Sequence, residues 1–128
     1  MQDCVFCKIV QGQVPCYKVY EDELFLAFLD IFPHTKGHTL LIPKDHHRWV
    51  YDVPQFGKYW EAAKKVTDKI LSTLHPQFVS YLTYGLDVPH AHIHLIPRYT
   101  GGTKEMAQTV KLDKDELQTI CSQIQIYE

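Results

Sequence analysis

Residues 90–96 read His90-Ala91-His92-Ile93-His94-Leu95-Ile96, and this strict alternation of histidine with apolar side chains constrains the chain more than any other stretch. Successive side chains of a β-strand point to opposite faces, so the three imidazoles share one face and Ala91, Ile93 and Leu95 the other. The expectation is a half-buried strand with a histidine row on its working side. Same-face neighbours along a strand lie ~6.5–7 Å apart, which suits convergence on a phosphate or a division of roles between metal ligation and attack. Histidine titrates near neutrality, ligates metals and acts as a nucleophile. Phosphoryl chemistry fits this set: an imidazole attacks phosphorus while neighbouring donors neutralise the equatorial oxygens. A wet strand face that tolerates histidine is the plainer reading of any one of them. Three on one face compete for the same space and protons.

Around this strand the pattern predicts a single α+β domain over residues 1–128, with its core at about 3–100. Strands are expected at 17–20, 24–29, 38–42, 78–83 and 90–96, forming a mostly antiparallel sheet. Apolar residues Phe56, Trp60, Ala63, Val66, Ile70 and Leu74 recur at helical spacing and predict a long helix over 54–74, with Pro54 in its first turn. Asp113 and Glu116 form a capping-box pattern that opens a C-terminal helix over 113–125. Residues 5–10 read as an apolar-rich start, and 100–103 as a flexible connection. The Tyr59-Trp60 pair suits either an interface or the core.

A hydrophobic content of 45% with 22% charged residues is that of a globular chain. The net charge of −2 argues against broad capture of nucleic acid or of an anionic membrane surface. The opening residues lack the basic and apolar regions of a secretory leader, and no run approaches the ~18 apolar residues of a membrane span. A cytoplasmic location is expected. There a close Cys4-x-x-Cys7 pair more often serves a metal or redox chemistry than a structural disulfide. Cys16 and Cys121 read as ordinary thiols.

The segment 90–96 resembles the His-φ-His-φ-His-φ-φ signature of the histidine triad (HIT) proteins, nucleotide hydrolases and transferases acting at the α-phosphate. Phe28-Leu29-Asp30-Ile31-Phe32-Pro33 and Gly37-His38-Thr39-Leu40-Leu41-Ile42-Pro43-Lys44-Asp45-His46 resemble a second block of that family, in the same order. Cys4-Val5-Phe6-Cys7-Lys8-Ile9-Val10 and Leu95-Ile96-Pro97-Arg98-Tyr99 are similar to prokaryotic members. The resemblance covers residues 3 to 100 and is nearest to the Hint-like nucleoside phosphoramidate hydrolases. It implies the HIT-like fold and a homodimer.

The resemblance implies that His92 is the nucleophile that forms a nucleotidyl-histidine intermediate. It further implies that His94 contacts the phosphate, that His90 supports the site, and that His38 stands behind the triad. Asp30 matches the carboxylate that holds the ribose hydroxyls, an acceptor suited to a cis-diol. Phe6, Ile9, Phe28 and Ile31 match positions lining a purine pocket, although ordinary core is the plainer reading of them. In zinc-bearing relatives the ligand set corresponds to Cys4, Cys7, His46 and His90, with His47 a neighbouring alternative to His46. Cys₂His₂ is a common tetrahedral set, and a structural zinc there would tie the N-terminus to the catalytic strand. An empty or partly oxidised cysteine pair is the alternative. No catalytic metal is required.

One stretch departs from the family pattern. Hint-like proteins carry an Asn-x-Gly stretch and then Gly-Gln-x-Val before the triad. This chain has Ser80-Tyr81-Leu82-Thr83-Tyr84-Gly85-Leu86-Asp87-Val88-Pro89, with Leu86 at the Gln position and no asparagine anywhere. Losing one donor to a phosphate oxygen costs ~2.7–4 kcal/mol of transition-state stabilisation. Asp87, Thr83 and Ser80 are the candidates to replace that polarity. The expected activity is therefore hydrolysis of a nucleoside 5′-phosphoramidate or related nucleotide conjugate. The competing readings are a dinucleoside polyphosphate hydrolase and a zinc-stabilised nucleotide-binding or regulatory protein with weak turnover.

Overall fold

The computed structural model describes residues 3–99 and 109–126; the connection expected at 100–103 lies outside them. In chain order the elements are α1 (Val5–Val10), β1 (Lys18–Glu21), β2 (Phe25–Leu29), β3 (Thr39–Pro43), a 3₁₀ turn (Val50–Asp52), α2 (Phe56–Leu74), β4 (Phe78–Leu82), β5 (Ile93–Arg98) and α3 (Lys114–Ile124). The five strands form one sheet in the order β1-β2-β3-β5-β4, every neighbouring pair antiparallel. This is the α+β arrangement expected from the sequence, with a long helix and a C-terminal helix on the sheet.

Both faces of the central strands are covered, which explains the continuous apolar runs of β2 and β3. On one face Ala27, Leu41 and Ile93 fall in register and meet α2 and α3. On the other, Phe28, Leu40 and His94 fall in register, and the apolar members of that row pack with Phe6 and Cys7 of α1. The sheet register therefore puts a catalytic-type side chain beside the apolar wall of α1. Tyr59 settles on the core side: its ring stacks on Phe25 at 5.0 Å, and its hydroxyl donates to the Leu41 carbonyl at 2.7 Å. Trp60 lies against Tyr81 instead.

Three local expectations change. Residues 5–10 form a helix, capped by the Cys4 side chain, which accepts from Cys7 N–H. The long helix begins at Phe56, because Pro54 lies in a turn that follows the 3₁₀ segment. The last strand begins at Ile93, not at residue 90. Upstream of it, His90 N–H donates to the Val88 carbonyl and Ala91 N–H to the His47 carbonyl, so these groups serve a loop instead of a ladder. The capping box at Asp113 and Glu116 forms as expected, with both reciprocal bonds made. Among the described residues no helix is long and apolar enough to cross a membrane.

Candidate active site

A cavity of about 530 Å³ opens between α1, the start of β5, the residues after β2 and the loop before His90. That volume suits a nucleotide-sized ligand. Phe6, Ile9 and Phe28 line it, Asp30 and Ile31 stand along it, and His92 and His94 face into it. Phe6 meets Phe28 edge-on at 5.5 Å and His92 edge-on at 5.2 Å, so the apolar wall also braces the imidazole. Ile31 is 56% exposed and sits at the rim.

The hydrogen bonds assign tautomers to His92, His38 and His94, because a carbonyl only accepts and a backbone N–H only donates. His92 Nδ1 lies 2.7 Å from the His90 carbonyl and must donate to it, leaving Nε2 with a free lone pair. The backbone N–H of His34 donates to His38 Nδ1 at 3.0 Å, so His38 carries its proton on Nε2. That proton is donated to His94 Nδ1 at 2.8 Å. His94 is left with Nε2–H as a donor, its ring 5.0 Å from that of His92. A lone pair and a donor therefore stand side by side in the cavity.

Burial keeps these rings neutral. Desolvation, followed by the neighbouring His94, holds His38 down at about 3. Desolvation, followed by His92, holds His94 at about 4. His92 is also lowered by burial, against the opposing pull of the His90 carbonyl and of the Asp30 and Asp87 carboxylates. Burial raises Asp30, whose Oδ1 accepts from Phe32 N–H at 2.9 Å while Oδ2 lies 3.7 Å from His38 Nε2. Asp30, His38 and His94 also present ligand atoms near one another, but the His38–His94 hydrogen bond engages both facing nitrogens.

His90 points elsewhere. Its Nε2–H donates to the Pro43 carbonyl at 2.8 Å, so Nδ1 is the free lone pair. That nitrogen lies 3.4 Å from Cys4 Sγ and 3.5 Å from Cys7 Sγ, and His46 Nδ1 lies 3.2 Å from Cys7 Sγ. The four ligand atoms fall within 4.8 Å of one another. Tetrahedral zinc bonds of ~2.3 Å to sulfur and ~2.0 Å to nitrogen set S···N edges of roughly 3.6 Å. Burial, and then the adjacent Cys4, raises the Cys7 thiol, so two thiolates here call for a cation. The donor set, the His90 tautomer and its carbonyl partner all fit zinc. His47 contributes its backbone carbonyl to Ala91 and stays outside this cluster.

Other sequence candidates are not brought in. Ser80 Oγ accepts from Arg98 Nε at 3.0 Å, and neither Ser80 nor Thr83 lines the cavity, whereas Leu86 and Asp87 do. Three contributors were not singled out from the sequence. His34 stacks on His38 at 5.3 Å and lines the cavity. Cys16 also lines it. Arg48 holds the loop before His90 through its bond to the Gly85 carbonyl. The loop between Pro33 and Gly37 carried the only signal for His34, an extra histidine four residues before His38.

The HIT domain family profile matches residues 11–101. The chain is 44% identical over 108 residues to the Hit protein of Bacillus subtilis, covering 79% of this chain and 74% of that one. It is 36% identical over 100 residues to an adenosine 5′-monophosphoramidase of Schizosaccharomyces pombe, covering 74% of each. A zinc-bound histidine triad family protein from Mycobacterium smegmatis superposes with a TM-score of 0.79 at 32% identity, over 96% of each chain. The chain belongs to the HIT family, a family of nucleotide hydrolases.

Proposed function

We propose that this protein hydrolyses nucleoside 5′-phosphoramidates, or closely related nucleotide conjugates, at the α-phosphate through a nucleotide covalently held on His92. The observation that carries this reading is the 2.7 Å bond from His92 Nδ1–H to the His90 carbonyl, which leaves Nε2 unprotonated in the cavity. Similarity to the Schizosaccharomyces pombe adenosine 5′-monophosphoramidase supports the substrate class.

The purine lies between Phe6, Ile9, Phe28 and Ile31, gaining from apolar contact and edge-on rings. Asp30 accepts from the ribose hydroxyls. His92 Nε2 attacks phosphorus, the bond to the leaving group breaks, and His94 Nε2–H stabilises the charge on a phosphate oxygen. His38 fixes the tautomer of His94 without touching substrate. Water then attacks phosphorus, the P–Nε2 bond breaks with its electron pair returning to neutral His92, and the nucleoside monophosphate leaves as the water's proton passes to solvent.

Cys4, Cys7, His46 and His90 would hold zinc as a closed set of four protein ligands. Bound there, the ion would cross-link the N-terminal helix to the segment that orients His92. A homodimer is supported by the β4 edge, which pairs with no further strand among the described residues and leaves Tyr81 43% exposed. Tyr81, Trp60 and Phe56 carry an apolar band from this edge onto α2.

His92→Ala is expected to lower kcat/KM by about 10⁴-fold or more, while AMP binding persists. With a slow substrate, denatured wild-type protein carries one nucleotide on His92; turnover by His92→Ala at the wild-type rate overturns the mechanism. Protein purified without added zinc should contain about one zinc per chain and Cys7→Ala far less, and near-zero metal in the wild type removes the zinc assignment. Light scattering should give twice the chain mass, falling to one mass in Tyr81→Lys; a monomeric wild type contradicts the proposed interface.

A further inference from the structure

The loop between Pro33 and Gly37 carries a histidine side chain that the proposed reaction does not use. His34 is half-buried and lines the cavity. Its ring lies almost parallel to that of His38, at 5.3 Å and 19°, and its backbone N–H donates to His38 Nδ1 at 3.0 Å. Two further bonds anchor the loop. Thr35 Oγ1 donates to the Pro97 carbonyl at 2.7 Å, and Val110 N–H donates to the Pro33 carbonyl at 2.8 Å. The imidazole is thus held flat on His38, beside the point where Asp30, His38 and His94 bring their polar atoms together.

What surrounds this ring decides what it can do. Burial keeps His38 and His94 neutral, at about 3 and about 4, so neither opposes a proton on His34. Asp30 favours one. Burial raises its carboxyl, and the Phe32 N–H and the charge of His34 oppose that rise. Of the other described groups, His92 and Asp87 line the cavity, and Arg98 acts on His38 from β5. Lys36, on the same loop, lies over the Tyr99 ring, while Thr109 and Val110 carry no charge. A phosphate seated at His94 brings negative charge toward His34. An imidazolium attracts that charge, and a neutral imidazole does not.

We propose that His34 is a further nucleotide-binding residue of this cavity, taking one proton from solvent as an anionic nucleotide binds and holding that charge between the phosphate and Asp30. This rests on the placement of the phosphate at His94 given above. No covalent bond to the nucleotide forms or breaks; the proton moves from solvent to the ring on binding and returns on release. The sign follows from linkage. A ligand that prefers the protonated ring raises its midpoint, so affinity is highest where His34 is protonated in both states and falls as pH rises through the two midpoints.

The probe is the methyl ester of adenosine 5′-monophosphate, whose single phosphate charge does not titrate near neutrality. Its Kd for the protein as purified is measured at about pH 5.5 and 8, limits between which a histidine ordinarily changes charge. The His34 ring is followed by NMR with and without the ester. Wild type should bind roughly tenfold tighter at the lower pH, the scale of one charge pair across a partly solvated cavity. By the same linkage the His34 midpoint should rise by about one pH unit on binding. His34→Gln should lose the pH dependence and bind at both values as wild type does at the higher. Equal weakening of His34→Gln at both values means that the side chain only packs, and overturns the proposal. An unmoved His34 midpoint in wild type overturns it without any variant. Hydrolysis of adenosine 5′-phosphoramidate, assayed in parallel, separates the two readings: turnover without the His34 linkage overturns this inference alone. Linkage without turnover overturns the proposed function alone, and absence of ester binding with absence of turnover overturns both.

Discussion

The geometry of the site depends on His90, which is fixed by its ring and gives up its backbone carbonyl to His92. Its Nε2–H is bonded to Pro43 at the end of β3, and its Nδ1 turns to the two cysteine sulfurs. With both ring nitrogens engaged, the carbonyl has little freedom, and that carbonyl decides which nitrogen of His92 holds the proton. The proposed nucleophile needs its lone pair toward the cavity, so the orientation of one buried residue becomes a condition for the proposed chemistry at the next but one.

Phe6 gives the same dependence a second route. It lies between Cys4 and Cys7 in the sequence, packs edge-on against both His90 and His92, and forms the cavity wall. The Cys/His cluster and the cavity thus share a six-residue helix. On the opposite side His38 does for His94 what His90 does for His92. A backbone N–H from the 33–37 loop sets its tautomer, and it passes that choice on. These neutral imidazoles are costly to bury unless paired, and among the described residues no buried side-chain nitrogen or oxygen lacks a partner.

Much of this was legible in the chain. The alternation at 90–96 located the segment whose histidines line the cavity and the cysteine cluster, the runs at 24–29 and 38–42 marked two strands, and Asp113 with Glu116 marked the last helix. What alternation could not show is that the three histidines do not form one row. Pro89 and the 84–88 loop divert the backbone before Ile93, so His90 turns to the cysteines while His92 and His94 remain in the cavity. Helix α1 was missed because its cap is a cysteine, a side chain outside the usual N-cap set. His34 was missed because its contribution is a ring stack and a backbone N–H inside a loop, which carry no periodicity. The path of the 84–88 loop depends on Arg48, far away in sequence, and no local pattern reports such a tether.

The proposed chemistry depends most directly on the tautomers, and these are measurable. In ¹⁵N-histidine spectra of the metal-loaded protein at neutral pH, long-range couplings assign the protonated nitrogen of each ring. His92 should be the Nδ1–H form, with His38 and His94 both Nε2–H. A His92 ring protonated on Nε2 would leave no lone pair facing the cavity and would contradict the proposed covalent mechanism at its first step.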